Sequence, residues 1–385
     1  MAVDILGYTI ILPLLPFYAE RMGARPATIG LLVAAYAVCQ LIAGPILGRF
    51  SDRIGRRPLL LVSQAGTFIG FLMLAYATSL PMVFAARIVD GLTAGNLALA
   101  QAYISDVSKP EDRARSFGII GIAFGMGFLI GPAISGILAQ FGYKYPILGA
   151  AGLSALSILA TYFLLPSNPP KPAGVDDGPA APGGKRLGLL EWNRYADYFK
   201  QPSLAPYLAK YFSYVFSFAV FTGGFALFCE RRFTWDGRPF GPREVGFAFA
   251  YAGLLGGILQ GGLIGRLVKR YGEVPLMATG FVSVIAGYVA LGFAFSIAQL
   301  VAVITISALG GIVRPVVTSL ITQASARSEQ GTVLGLTQSL TSVAQIAGPL
   351  LAGFLIDRQL LTTWALVAAG IGLGGWLVRS PKVAA

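Results

Sequence analysis

Gly48-Arg49-Phe50-Ser51-Asp52-Arg53-Ile54-Gly55-Arg56-Arg57-Pro58 stands between two apolar stretches of the chain. A degraded copy, keeping Gly265, Arg266, Arg270, Gly272 and Pro275, stands between two others at an offset of 217 residues. The same offset continues further on. Ile104 and Ser108 match Ile321 and Ser325, and Gly118, Gly131, Pro132 and Gly136 match Gly335, Gly348, Pro349 and Gly353. One ungapped offset that carries both a charged loop and a Gly-Pro pattern indicates an internal duplication. Within the loop, Gly48 is expected to let helices approach closely and Gly55 to permit a tight turn. Asp52 is an anion placed to meet Arg56, a helix N-terminus, or both.

Outward from this loop, the chain is a series of apolar stretches. Twelve helices are expected, at roughly 3–20, 27–49, 58–78, 80–105, 115–140, 145–166, 205–230, 243–268, 274–294, 297–322, 331–356 and 361–379, each close to the twenty or so residues a bilayer core requires. Hydrophobic residues make up 55% of the 385 and charged residues 12%, against roughly a quarter charged in soluble domains. The 49 glycines lie largely inside the apolar stretches, as is common where membrane helices pack closely. The fold class is therefore an all-α integral membrane protein, two six-helix bundles at 1–166 and 205–385 joined by 167–204. Residues 167–184 are rich in Pro, Gly and Ala and form a linker. Residues 187–201 carry Trp192, Tyr195, Tyr198 and Phe199 beside Arg194 and Lys200, the composition of a helix on the membrane surface. Most of the 29 Lys and Arg residues fall on the linker side, which puts the linker and both termini in the cytoplasm. The short outer loops suggest a bacterial inner membrane. The chain opens almost inside its first helix, so a native N-terminal tail is expected to precede it.

Composition also excludes classes of function. The net charge of +12 is dispersed in short clusters and forms no stripe for nucleic acid. Cys39 and Cys229 fall in apolar stretches and there is no histidine, so neither a metal site nor a disulfide framework is expected, and no cofactor. No nucleophile elbow or phosphate loop is present, which argues against an enzyme. The first apolar stretch ends at Glu20 and Arg21 without a cleavage pattern.

The Gly48–Pro58 loop resembles the cytoplasmic loop signature of the major facilitator superfamily. The resemblance implies that Asp106, at the end of the fourth helix, joins Asp52 and Arg56 in a cluster that latches the two halves outward-open, with Gly48, Arg53 and Gly55 as part of the latch. Plain topology plus a turn would account for a basic loop alone. On the fourth helix, Arg87-Ile88-Val89-Asp90-Gly91 followed by Gly95 is similar to a second signature of the family, with Asp90 in place of the usual amide. Arg87 and Asp90 are three apart and share a helix face. Two readings are open: a self-satisfied structural pair, or a proton-sensitive pair beside a cavity, since intramembrane charges seek partners and interiors. The fifth helix, with Gly121, Gly125, Gly127, Gly131, Pro132 and Gly136, resembles the antiporter signature of exporters that exchange substrate against protons. Its glycines make a flat packing seam, and Pro132 frees a carbonyl. Asp4 with Pro13 and Pro16 looks like the first-helix pattern of tetracycline and multidrug antiporters, which implies a cation- or proton-handling role; a solvated interfacial carboxylate is the alternative. The second half departs from the tetracycline pattern. Its ninth helix has no carboxylate and its eighth no histidine, which argues against tetracycline or a metal–drug chelate.

Arg314 has no counterpart in the repeat, where Leu97 stands. A buried unpaired guanidinium is costly, so it either finds a structural partner or receives an anionic group of a substrate. Tyr8, Tyr36, Gln40, Asn96, Gln101, Tyr251, Gln260 and Gln338 are further candidates for lining a cavity, although lone amides also bond helix to helix. Together these features describe a monomeric transporter that works by alternating access. Its expected site lies near the bilayer midplane between the halves, and its partners are amphipathic small molecules, protons and the lipid bilayer. Without histidine, proton coupling would fall to Asp90 and Asp4, with Arg87. An uncoupled facilitator or uptake carrier of the same fold is the first alternative, and a receptor or scaffold without transport the second.

Overall fold

A computed structural model describes residues 2–107, 113–166, 197–326 and 329–380. The expected linker and most of the surface helix lie outside the described residues, as do the side-chain environment of Asp106 and the packing at Gly121. Among the described residues ten helices are long and apolar enough to cross a membrane, and two shorter apolar ones, Gly125–Ala139 and Leu361–Leu377, bring these to twelve in the expected order. Gly125–Ala139 belongs to a longer helix, Arg113–Ala139.

Among the described residues three spans are broken where the sequence suggests continuity, and two of the breaks are related by the repeat. The fourth span divides into Leu80–Thr93 and Asn96–Val107. The tenth passes through a 3-10 turn, Ala308–Ile312, between Ile297–Ser307 and Val313–Gln323. Adding the repeat offset to Thr93–Gly95 gives 310–312, inside that turn. The eighth span carries a π turn, Leu259–Leu263, between Pro242–Ile258 and Ile264–Tyr271. Its counterpart in the second span, 42–46, holds Pro45. Backbone groups released in a bilayer must find other partners, because lipid offers none. At the fourth-span break the hydroxyl of Ser63, from the third span, donates to the Thr93 carbonyl and accepts from the Gly95 N–H at 2.9 Å.

Between the seventh and eighth spans a short antiparallel hairpin pairs Thr234–Trp235 with Arg238–Pro239. Asp236 and Gly237, with φ of 50° and 73°, make its turn, and Asp-Gly is the pair that positive φ at both positions favours.

Two compact units form: Met1–Asp176 with Ala226–Gly257, and Asp177–Phe225 with Ile258–Ala385. The outer part of the seventh span and much of the eighth therefore pack with the first six. The fifth-span glycines explain the contact. A Cβ on Gly136 would stand 3.0 Å from Arg243 Cα, and one on Gly253 2.6 Å from the Phe128 carbonyl oxygen. Pro132 has no N–H to offer Phe128, its i−4 neighbour, so the eighth-span backbone lies against the carbonyl that proline leaves without a helical donor. On its other side the seam receives the first span. A Cβ on Gly127 would stand 2.6 Å from Ile5 Cγ2, and Thr9 Oγ1 donates to the Gly127 carbonyl at 2.9 Å. In the second unit, the matching Gly348-Pro349 meets the seventh span, with a Cβ on Gly348 2.6 Å from Ala219 Cβ and one on Gly223 2.7 Å from Pro349 Cα.

Candidate functional site

The loop between the second and third spans turns at Gly55, whose φ of 104° lies in the region glycine tolerates; Gly272 repeats this with φ 80°. Asp52 and Arg56 pair at 2.7 Å, and Arg56 also donates to Ser51. Arg53 is exposed. Gly48 corrects an expectation: a Cβ there would meet nothing within 4 Å, so close helix approach is not what calls for glycine. Arg57 caps the sixth span instead, donating to Tyr162 O at 2.5 Å and packing on the Tyr162 ring.

Deeper in the first unit, the fourth-span signature forms a compact polar group directly before the break. Arg87 Nη1 donates to Asp90 Oδ2 at 2.6 Å, and each residue is 5% exposed. The Arg87 guanidinium lies over the Tyr36 ring, 4.2 Å from its centroid, a favourable cation–π contact that gains strength out of water. Gln40 donates to the Tyr36 hydroxyl at 3.3 Å. Thr67 bonds Asp90, and Asn96, first residue after the break, donates to Thr67 Oγ1 at 3.4 Å. Tyr8 lies within electrostatic reach of both Arg87 and Asp90 and keeps an exposed face. Two buried atoms of the group, Arg87 Nε and Asn96 Oδ1, have no partner among the described residues. One is a donor and the other an acceptor, the complement of a polar group on a bound molecule.

Glycines bring the backbones together here. A Cβ on Gly70 would stand 2.9 Å from Asp90 Cβ, and one on Gly91 2.7 Å from Cys39 Cβ. The repeat preserves the packing and discards the charge: Gly287 corresponds to Gly70 and lies against Ser307, the counterpart of Asp90, while Ile304 replaces Arg87. The structure thus separates a shared scaffold from a group special to the first half.

Asp4 is half-buried and hydrogen-bonded. Ser157 donates to Asp4 Oδ2 at 2.9 Å, and Gln64, fully buried, donates to Ser157 Oγ at 2.9 Å. This network ties the first, third and sixth spans and is separate from the Arg87–Asp90 pair. In the second unit, Arg314 is exposed and pairs with no carboxylate among the described residues, although Tyr214 lies within its electrostatic reach. Gln260 stands in the π turn, facing Gly311 of the 3-10 turn. Gln101 and Tyr251 are partly buried and Gln338 is exposed. Sequence reasoning missed Thr67, Gln64 and Ser157. It also missed an aromatic cluster in which Phe221 stacks on Tyr288 at 4.7 Å and lies beside Trp364. Aromatic spacing along 207–225 was an available signal for it.

Two sequence-related sets of six spans, with matching breaks in the fourth and tenth and a buried charged pair in the first set, have the architecture of a membrane transporter. The Major Facilitator Superfamily model matches residues 1–294 and 240–383, and the chain belongs to that family. It is 30% identical to the class D tetracycline resistance protein of Salmonella ordonez, over 96% of this chain and 92% of that one. It is 25% identical to multidrug resistance protein 2 of Bacillus subtilis strain 168, over 96% and 91%. These relatives place it among the drug exporters of the family, and it is a secondary transporter. The crystal structure of the human organic anion transporter MFSD10 (TETRAN) superposes with a TM-score of 0.71 at 23% identity, covering 98% of this chain and 96% of that one; this is a likeness of fold.

Proposed function

We propose that the protein exports amphipathic small molecules in exchange for protons, and that the Arg87–Asp90 pair is where the exchange is made. The observation that carries this reading is the pair itself: ionisable groups 5% exposed, at a helix break, with Arg87 stacked on Tyr36, beside a spare donor and a spare acceptor. Ionisable residues in a span are expensive, and function is the common reason to retain them. Asp90, when ionised, shares its carboxylate between Arg87 and a cationic or hydrogen-bonding group of the substrate. A proton on Asp90 removes that anion, so proton and substrate hold the site in turn, which is the requirement for exchange. Arg87 stays charged throughout, because a guanidinium does not deprotonate in proteins, and Tyr36 supports it when the ion pair is lost. Tyr8, Gln40 and Asn96 orient the substrate.

The reading includes a working monomer in a bacterial inner membrane, both termini cytoplasmic, with 1–166 and 205–385 as the two moving halves. It also keeps Asp52, Arg56 and Asp106 as the cytoplasmic latch. The test is Asp90→Asn in proteoliposomes. Substrate–substrate counterflow is expected to persist and flux driven by a pH gradient to disappear. A variant that still pumps with the gradient would remove Asp90 from the coupling step.

A further inference from the structure

A buried cation elsewhere in the molecule has no part in this scheme. Lys210, near the start of the seventh span, is 3% exposed. Its ammonium donates to the Gly375 and Trp376 carbonyls at 3.2 and 3.3 Å, capping the last helix. An ammonium has three donors, and no carboxylate among the described residues pairs with this one. The nearby Glu273 is engaged by Ser319 at 2.7 Å and Gln323 at 2.9 Å. Lys210 lines a cavity of about 380 Å³ between the seventh, ninth and twelfth spans. Met277 and Phe281 form apolar walls, and Trp376, Arg379 and Ser380 complete the mouth where the last span ends. Arg379 is exposed and also pairs with no described carboxylate.

We propose that this cavity is a binding site for the headgroup of an anionic phospholipid, its phosphodiester held by Lys210 and Arg379 and an acyl chain laid along Met277 and Phe281. Burying an ammonium is unfavourable unless partners compensate it; two carbonyls take two of its three donors and the Phe281 ring lies 5.8 Å from Nζ, which leaves the third donor for an anion. Basic pockets between spans at a membrane surface suit acidic headgroups. The depth favours lipid over a free anion, because the cavity opens at the end of a span, beside an interfacial tryptophan, and its walls are apolar. The proposal is independent of proton exchange.

The full chain in detergent is stripped of lipid and given phosphatidylglycerol or phosphatidylcholine with the same acyl chains. Native mass spectrometry then counts retained lipid, and thermal unfolding reports stabilisation. One retained phosphatidylglycerol and a raised Tm are expected, with phosphatidylcholine giving neither. Retention should fall at least tenfold in Arg379→Gln, at an exposed position that folding does not need, and in Met277→Trp, which fills the cavity and leaves the Lys210 bonds in place. Equal retention of both lipids, or variants that hold phosphatidylglycerol like the parent, would overturn the proposal. Inorganic phosphate that stabilises the protein as much as the lipid would overturn it too, by making this a free-anion site.

Discussion

Replacing Asp90 by leucine removes the carboxylate that Arg87 Nη1 bonds at 2.6 Å and leaves the guanidinium buried at 5% exposure. Breaking a buried pair on one side costs about 3–5 kcal/mol, because the remaining charge is uncompensated. Tyr36, 4.2 Å from that guanidinium, touches it in parent and variant alike and so does not enter the difference. The expected loss for Asp90→Leu is therefore about 3–5 kcal/mol. Arg87→Met leaves a carboxyl that Thr67 still bonds and that a proton can neutralise, so its loss should be smaller than that of Asp90→Leu. The double variant leaves neither charge, and apolar replacement of a whole buried pair is often neutral or stabilising. Equilibrium unfolding in mixed micelles gives the cycle directly. The double variant should be more stable than either single one, by about 2 kcal/mol or more relative to Asp90→Leu. A double variant no better than the worse single would refute the claim that the two charges compensate each other. The same three proteins also separate structure from function: a stable double variant that still exchanges protons would make the pair purely structural.

Further outcomes follow from other positions. Gly253→Leu puts a side chain where a Cβ alone would lie 2.6 Å from the Phe128 carbonyl, so transport should fall sharply, while Gly257→Leu, with nothing within 4 Å, should be tolerated; flux assays decide. Gly55→Ala places a side chain at φ 104° and should lose about 1–3 kcal/mol of stability, measured by thermal unfolding, since strained backbone conformations cost that much. Arg314→Ala is expected to weaken binding of anionic amphiphiles at least tenfold and to leave neutral ones unchanged. Fluorescence titration with a matched pair reads this, and unchanged affinity for every anion would remove Arg314 from substrate binding.

Much of the candidate site was legible because it rests on one helix and on costly residue types. Arg87 and Asp90 declare themselves as charges in an apolar span with face-sharing spacing, and Tyr8, Tyr36 and Asn96 stand out as polar residues in such spans. Contacts between spans were not legible. Thr67 is an ordinary hydroxyl in a membrane helix until the structure sets it beside Asp90 and Asn96. The Asp4–Ser157–Gln64 network joins three spans distant in sequence, so Asp4 alone gave no sign of its partners. The breaks at Thr93–Gly95 and Ala308–Ile312 occur inside stretches that read as single spans, where glycine signals packing as readily as a turn. Asp236-Gly237 is the opposite case: a hairpin signal that the surrounding long helices overshadowed. Gly48 shows that matching a motif does not supply its physical reason, since its surroundings are open.

The most direct test of the account is simultaneous recording of substrate flux and lumenal pH in proteoliposomes, with cationic, neutral and anionic amphiphiles in turn. The account predicts that an imposed pH gradient drives substrate flux and that protons move only when a transported substrate is present. Flux that ignores the gradient, with no substrate-dependent proton movement, would contradict it. That result would make the protein an uncoupled carrier and leave Arg87 and Asp90 as a structural pair.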